Sequence, residues 1–231
     1  MKILVIVPAY NEERTIREVI RSVRAALPPT DILVVNDGST DATGAIVREE
    51  GALILEHPYN MGIGATMQTG FLYALKNGYH VAVQIDGDGQ HNPESLPSLI
   101  EPIIKGKSNL VIGSRYLSDG GFKSTLLRKL GIKFFTNLIW IFTSQRVTDP
   151  TSGFRSMDRE GIALFADEYP SDYPEVEALI LAHKRGLRFQ EIPTRMRHRQ
   201  GGVTSIGFLS AIYYMVKVTL SISIGFFRGL R

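Results

Sequence analysis

Short apolar runs rich in β-branched residues alternate with amphipathic stretches over the first half of the chain. The runs fall at 2–7, 31–36, 52–56, 80–85 and 108–113, each of strand length and apolar enough to be covered on both faces. Between them, 12–26, 41–50, 63–77 and 94–104 carry apolar residues at helical spacing. This alternation is the pattern of βαβ units, so the sequence predicts an α/β fold built on a mostly parallel sheet. Asn11 is placed to cap the first helix, with Glu12 and Glu13 in the first turn where the helix dipole favours acids. Pro28-Pro29 ends that helix, and Thr40 or Asp41 is placed to cap the next.

After residue 113 the alternation stops. A basic and apolar segment, Lys123 to Gln145, leads into the turn-rich run Asp149-Pro150-Thr151-Ser152-Gly153-Phe154-Arg155. A helix around 174–185, a strand at 187–193, an arginine-rich loop and an apolar stretch follow. With no internal repeat and no long Gly/Ser/Pro linker, the 231 residues read as one catalytic domain over 1–206 and an apolar appendage over 207–231.

Charge changes this picture by its distribution more than by its sum. The formal net charge is only +3, which gives no reason to expect nucleic acid. Acidic residues gather before residue 101, whereas Arg and Lys dominate 105–155 and 183–231, so the second half should meet an anion such as phosphate or lipid headgroups. The absence of cysteine excludes disulfides and thiolate metal sites and fits a reducing compartment. The opening MKILVIVPAY lacks the length and cleavage site of a signal peptide and reads as a first buried strand on the cytosolic side.

Two segments bear on membranes. Gly207 to Phe227 approaches the roughly 20 residues of a bilayer span, but Lys217 near its middle costs on the order of 3 kcal/mol there, which favours an interfacial helix. The amphipathic segment 124–144 mixes Leu130, Phe134, Phe135, Leu138 and Trp140 with Arg128, Lys129 and Lys133, the composition of a helix at a charged lipid surface. Packing of the two on each other, or in a homo-oligomer, would cover the same apolar surface.

The chemistry concentrates after two strands. Ile85-Asp86-Gly87-Asp88-Gly89-Gln90-His91 puts two carboxylates one residue apart on a loop behind a buried strand. Hard oxygens of that kind, with Gln90 adding another, hold Mg²⁺ or Mn²⁺ while leaving positions open for a diphosphate. The same residues also make an ordinary Asp-Gly turn. Asp37, in Asn36-Asp37-Gly38-Ser39-Thr40-Asp41, ends the second strand where an acid can accept hydrogen bonds from a base or ribose, although turn and cap chemistry accounts for it equally. Gly62 and Gly64 precede a helix and can bring backbone N–H groups close to a donor phosphate.

In order along the chain, Pro8 to Glu12, Asn36 to Asp41, Asn60 to Gly64, Asp86 to Gln90 with Pro93, Gly113 to Tyr116, Asp149 to Arg155, and the Arg199/Gly202 loop resemble the family 2 glycosyltransferases. Within that family the likeness is to polyprenyl-phosphate sugar synthases of the dolichyl-phosphate mannose synthase type. The resemblance implies a Rossmann-like nucleotide-diphospho-sugar transferase fold with amphipathic or apolar C-terminal helices. It implies that Pro8, Tyr10, Glu12 and Asp37 line the nucleotide pocket, together with Gly62, Gly64 and Asp86, and that Asp86, Asp88 and Gln90 hold the metal. Arg115, Arg128 and Arg199 match positions that meet donor or acceptor phosphates, a task suited to planar, permanently charged guanidinium groups. Glu177 matches the family's acidic position in the helix after the Asp149–Arg155 run.

The implied reaction is an inverting transfer of a hexose from a UDP- or GDP-sugar to an undecaprenyl- or dolichyl-type phosphate at the cytosolic membrane face, in cell-envelope glycan synthesis. A phosphate acceptor is already anionic and needs no base. A saccharide or lipid hydroxyl would need one, and Glu175 or Glu177 is the candidate; two residues apart on a helix, at most one of them faces the crevice. A non-catalytic nucleotide-sugar-binding subunit is the remaining alternative. His91 and His183 read as a turn residue and a helix-surface residue, without partners at zinc-site spacing.

Overall fold

The computed structural model describes residues 1–117, 126–171, 174–196 and 215–222, with the side chains of 126–128 excepted. Five strands and four helices stand in the predicted order: β1 (Ile3–Ala9), α1 (Ile16–Ala26), β2 (Asp31–Asn36), α2 (Thr43–Glu49), β3 (Leu53–Glu56), α3 (Ile63–Lys76), β4 (Val81–Gln84), α4 (Leu96–Ile104) and β5 (Leu110–Ser114). A 3₁₀ turn, Pro93–Ser95, opens α4. Then come α5 (Leu126–Thr143), β6 (Arg155–Asp158), α6 (Arg159–Asp167), α7 (Pro174–Lys184) and β7 (Phe189–Pro193).

The seven strands form one sheet in the order β3-β2-β1-β4-β6-β5-β7. All pairings are parallel except those of β6, which runs antiparallel to both β4 and β5. Alternate strand residues feed two cores, as a sheet covered on both faces requires. Leu4, Ile6, Ala82, Ile112 and Met157 meet α3, α5, α6 and α7 on one side. On the other side Val5, Val7, Val83 and Val111 meet α1 and α4.

The alternation rule missed β6 and α6. β6 is only Arg-Ser-Met-Asp, yet it is buried in the middle of the sheet, where its backbone bonds to both neighbours outweigh its polar side chains. Asp158 caps α6 by accepting from the Gly161 amide at 2.9 Å. α6 and the residues just after it lie on α3 through Phe71, Phe165 and Tyr169, whose rings sit 5.2–5.6 Å apart.

The start of α1 also differs from the expectation. Asn11 sits in the left-handed region (φ 55°), and its side-chain oxygen accepts from the Thr40 amide at 2.9 Å rather than capping α1. Residues 12–15 form a turn, and the helix begins at Ile16. The loops after β1 and β2 are thereby knitted together, with further bonds from the Asn11 amide to Ser39 Oγ (2.9 Å) and from the Glu12 amide to Thr43 Oγ1 (2.8 Å).

Helix α5 buries Phe135, Leu138 and Ile139 and exposes Leu130, Phe134, Trp140 and Ile141. Of the apolar C-terminal stretch, 215–222 is helical and packs Val218 and Ile222 into the core below α7; the rest of 207–231 lies outside the described residues. No helix among the described residues is long and apolar enough to cross a membrane.

Candidate active site

The carboxyl ends of β1, β2 and β4 carry the loops that hold most of the predicted site, as an open α/β sheet dictates. Asp86 follows β4. Its Oδ2 lies 2.9 Å from Nε2 of His91, which is buried and stacked on Phe154 with ring centroids 5.0 Å apart. Burial acts to raise the Asp86 pKa, but the His91 ring, the Arg115 guanidinium and the Gln84 amide outweigh it and hold the carboxyl below its ordinary value. The acid is therefore ionised and aimed, which a cation ligand requires. Two residues on, Asp88 accepts from the Gln90 amide at 3.0 Å in a tight turn. Asp86, Asp88 and Gln90 are all partly exposed on this turn. Their oxygens suit Mg²⁺ or Mn²⁺, and among the described residues no third His, Asp or Glu joins them to make a closed protein cage.

The loop is wedged against β1 and β6. A Cβ on Gly87 would lie 2.9 Å from the Pro8 carbonyl oxygen, and Thr15 Oγ1 donates to the Gly87 carbonyl at 2.7 Å and contacts Glu12 Oε2 at 3.0 Å. Pro8 and Glu12 thus border the acidic turn, with Tyr10 exposed on the rim. On the opposite side a Cβ on Gly153 would stand 3.0 Å from Asp86 Oδ1 and 3.1 Å from Gln84 Nε2. Glycine at 153 lets the Asp149–Arg155 run lie directly on the acid.

Several of the predicted site residues have partners within the chain. Asp37 is buried, and it accepts from the Met61 and Gly62 amides at 2.9 Å each and meets Nδ1 of His57 at 2.7 Å. His57 in turn touches Thr69 Oγ1 at 3.0 Å. Gly62 gives its N–H to Asp37, and a Cβ on Gly64 would lie 2.3 Å from the Ser171 carbonyl oxygen.

Arg115, expected on a phosphate, is buried and clamped by Asp149: Nε to Oδ2 and Nη2 to Oδ1 at 2.6 Å each, with its own amide on Oδ2 at 3.0 Å. Burial would lower the Arg115 pKa, but the Asp149 bonds raise it further above the ordinary value. Glu191 of β7 holds the other end of the network, accepting from the Thr148 and Asp149 amides at 2.7 and 2.8 Å. A buried guanidinium needs such a partner, and the carboxylate across the sheet edge supplies it.

Of the two glutamates on α7, Glu177 turns away and accepts from Ser221 Oγ of the C-terminal helix at 2.7 Å. Glu175 is the one that faces the crevice. Burial pushes its carboxyl above the ordinary glutamate value, and the neighbouring charges acting on it are Arg155, Asp86 and Arg115. Arg199 and the side chain of Arg128 lie outside the described residues. Met196 forms an isolated bridge with His91, next to the acidic turn. The sequence reading took His91 for a turn residue and gave Asp149 and Arg155 no roles of their own beyond the run they bound; the five-residue step from Asp86 to His91 was the only signal for the first.

Residues 4–165 match the model of the family described as "Glycosyl transferase family 2". The chain is 32% identical over 216 residues to a UDP-N-acetylglucosamine–dolichyl-phosphate N-acetylglucosaminyltransferase of Methanococcus voltae, covering 84% of each chain. It is 32% identical over 225 residues to a polyprenol monophosphomannose synthase of Mycolicibacterium smegmatis, covering 93% of this chain and 84% of the relative. Among solved structures, glucosyl-3-phosphoglycerate synthase from Mycobacterium tuberculosis, in complex with Mn²⁺, UDP and glucosyl-3-phosphoglycerate, superposes with a TM-score of 0.73. That match has 22% identity and covers 97% of this chain and 79% of that one, which is a likeness of fold.

Proposed function

Because the chain belongs to glycosyl transferase family 2, we propose that it transfers a hexose from a UDP- or GDP-sugar to a polyprenyl phosphate, with inversion, at the cytosolic surface of a membrane. The observation that carries the proposal is the acidic turn at the end of β4, with Asp86 kept ionised and oriented by His91. The names of the relatives from Methanococcus voltae and Mycolicibacterium smegmatis support the acceptor class.

Asp86, Asp88 and Gln90 would hold Mg²⁺ or Mn²⁺, which supplies positive charge against the departing nucleotide diphosphate. His91 keeps Asp86 from rotating, and Gly153 and Gly87 let the walls close on it without a side chain between. The acceptor phosphate attacks the anomeric carbon as an anion, so the chain needs no proton acceptor there. Arg128 and Arg199 remain the phosphate-gripping candidates, since Arg115 is committed to Asp149. The exposed apolar residues of α5 would rest in the lipid surface that presents the acceptor.

A hydroxyl acceptor is the second reading, favoured by the raised carboxyl of Glu175 beside Asp86. One assay separates them. Radiolabelled UDP- and GDP-sugars are offered to the protein with a short-chain polyprenyl phosphate, a polyprenol and simple saccharides. The proposal expects an acid-labile lipid product from the phosphate alone, abolished by EDTA and by Asp88→Asn. Label appearing in polyprenol or saccharide would establish the second reading, and no transfer from any donor would leave a binding subunit.

A further inference from the structure

Arg155 is 1% exposed and forms no ion pair with any described carboxylate. Its Nε and Nη2 donate to the Ser152 and Pro150 carbonyls at 2.8 and 3.1 Å, and Nη1 has no hydrogen-bond partner among the described residues. A guanidinium cannot shed its proton to escape burial, so a fold keeps one uncompensated only where the charge is used. Glu175 is its counterpart. It sits in the first turn of α7, half-buried, and among the described residues its carboxylate has no ion pair and accepts only from its own backbone N–H.

Register places both beside the acidic turn. Arg155 is the cross-strand partner of Gln84, so the two share a face, and Asp86, two residues beyond the end of β4, lies against the Gln84 side chain on that side. Across the sheet, Asp37 ends β2, Asp86 follows β4, and Arg155 begins β6 as the next strand over. A donor laid with its nucleotide over β1 and β2 and its diphosphate at Asp86 therefore puts its sugar over β6, under the start of α7. The charged and titratable groups that face Glu175 there are Arg155, Asp86, Arg115 and Tyr169.

We infer that Glu175 is a contact for the donor sugar, its carboxylate accepting a hydrogen bond from a hydroxyl of the transferred hexose, with Arg155 behind it as a positioning residue that supplies the counter-charge. This rests on the glycosyl-transfer reading and deepens it. A neutral hydroxyl donor fits where a second phosphate would meet the Glu175 and Asp86 carboxylates, and where a second cation would meet Arg155. Hydrogen bonding to a buried charged acceptor is also the strong form of sugar discrimination, because a donor lacking the hydroxyl leaves the carboxylate unmatched.

The test uses UDP-glucose, UDP-N-acetylglucosamine and GDP-mannose, then the 3-, 4- and 6-deoxy forms of whichever is turned over. Wild type should lose about 10- to 100-fold in kcat/KM at one deoxy position, and Glu175→Ala should shrink that penalty to about threefold or less. Glu175→Gln, which keeps an acceptor oxygen, should retain part of it. Arg155→Lys should behave as wild type, whereas Arg155→Met should move the acid limb of the donor-binding pH profile upward, since Arg155 pulls the Glu175 carboxyl down. An unchanged deoxy penalty in Glu175→Ala, or loss of turnover in Glu175→Gln with donor binding intact, would overturn the inference. If wild type turns over none of the three donors, the glycosyl-transfer reading fails by itself. Calorimetry of UDP-glucose against UDP then still decides the contact: Glu175→Ala must narrow the affinity gap between them, and an equal gap sinks it.

Discussion

Gly153 is the residue on which the acidic turn leans. Because its Cβ would stand 3.0 Å from Asp86 Oδ1, Gly153→Ala must displace the carboxylate by a few tenths of an ångström. The expected outcome is a fall in turnover of about 10-fold or more with little loss of stability, read as kcat against Mn²⁺ concentration beside a thermal melt. Asp149 makes the opposite case. Asp149→Asn leaves Arg115 buried with half its partner, and urea denaturation should show a loss of about 3–5 kcal/mol. The acids of the turn were legible because two carboxylates on an Asp-Gly loop behind a strand narrow the options. The fates of Arg115 and Asp37 were not, since a guanidinium or carboxylate reads the same in sequence whether its partner is a ligand or another side chain. The resemblance pointed to Glu177 rather than Glu175, because spacing showed that the two diverge but not the phase of the helix on the sheet.

Elements with a strong period were found within a few residues, and the failures mark where tertiary bonds overrode local signals. β6 escaped because four polar-looking residues carry no alternation, although both its edges are paired. α1 lost its first turn to the bonds that tie residues 11–13 to 39–43. The amphipathic reading of 124–144 met a helix with one stripe buried and another bare. Leu130 and Ile141 are 58% and 67% exposed, so their replacement by serine, together with Phe134 and Trp140, removes no core contact of comparable size. That quadruple variant should leave the melting temperature within a few degrees while cutting co-flotation with anionic vesicles several-fold. Flotation equal to wild type would remove α5 from the lipid-facing surface.

At the scale of the molecule, acid and base act on two partly buried carboxyls in opposite senses. Asp86 has a depressed pKa, so its ionised form stabilises the fold above the ordinary aspartate range and this is lost as pH falls through the folded value. Glu175 has a raised pKa, so its contribution is present below the ordinary glutamate value and is lost as pH rises through the folded one. Glu175→Gln should therefore exceed wild type in urea midpoint at pH 8, with the gap closing below about pH 4.3. An advantage independent of pH would assign the gain to something other than the carboxylate charge. The antiparallel strand also sets an order of assembly. Residues 155–158 fill the slot between strands that end at 84 and begin at 110, so during synthesis the inner edges of both must wait, bare, until a stretch about 40 residues downstream emerges. The wall that bears Arg155 is thus a late addition, and a stalled nascent chain ending near residue 140 would carry the acidic turn on an open, protease-sensitive margin.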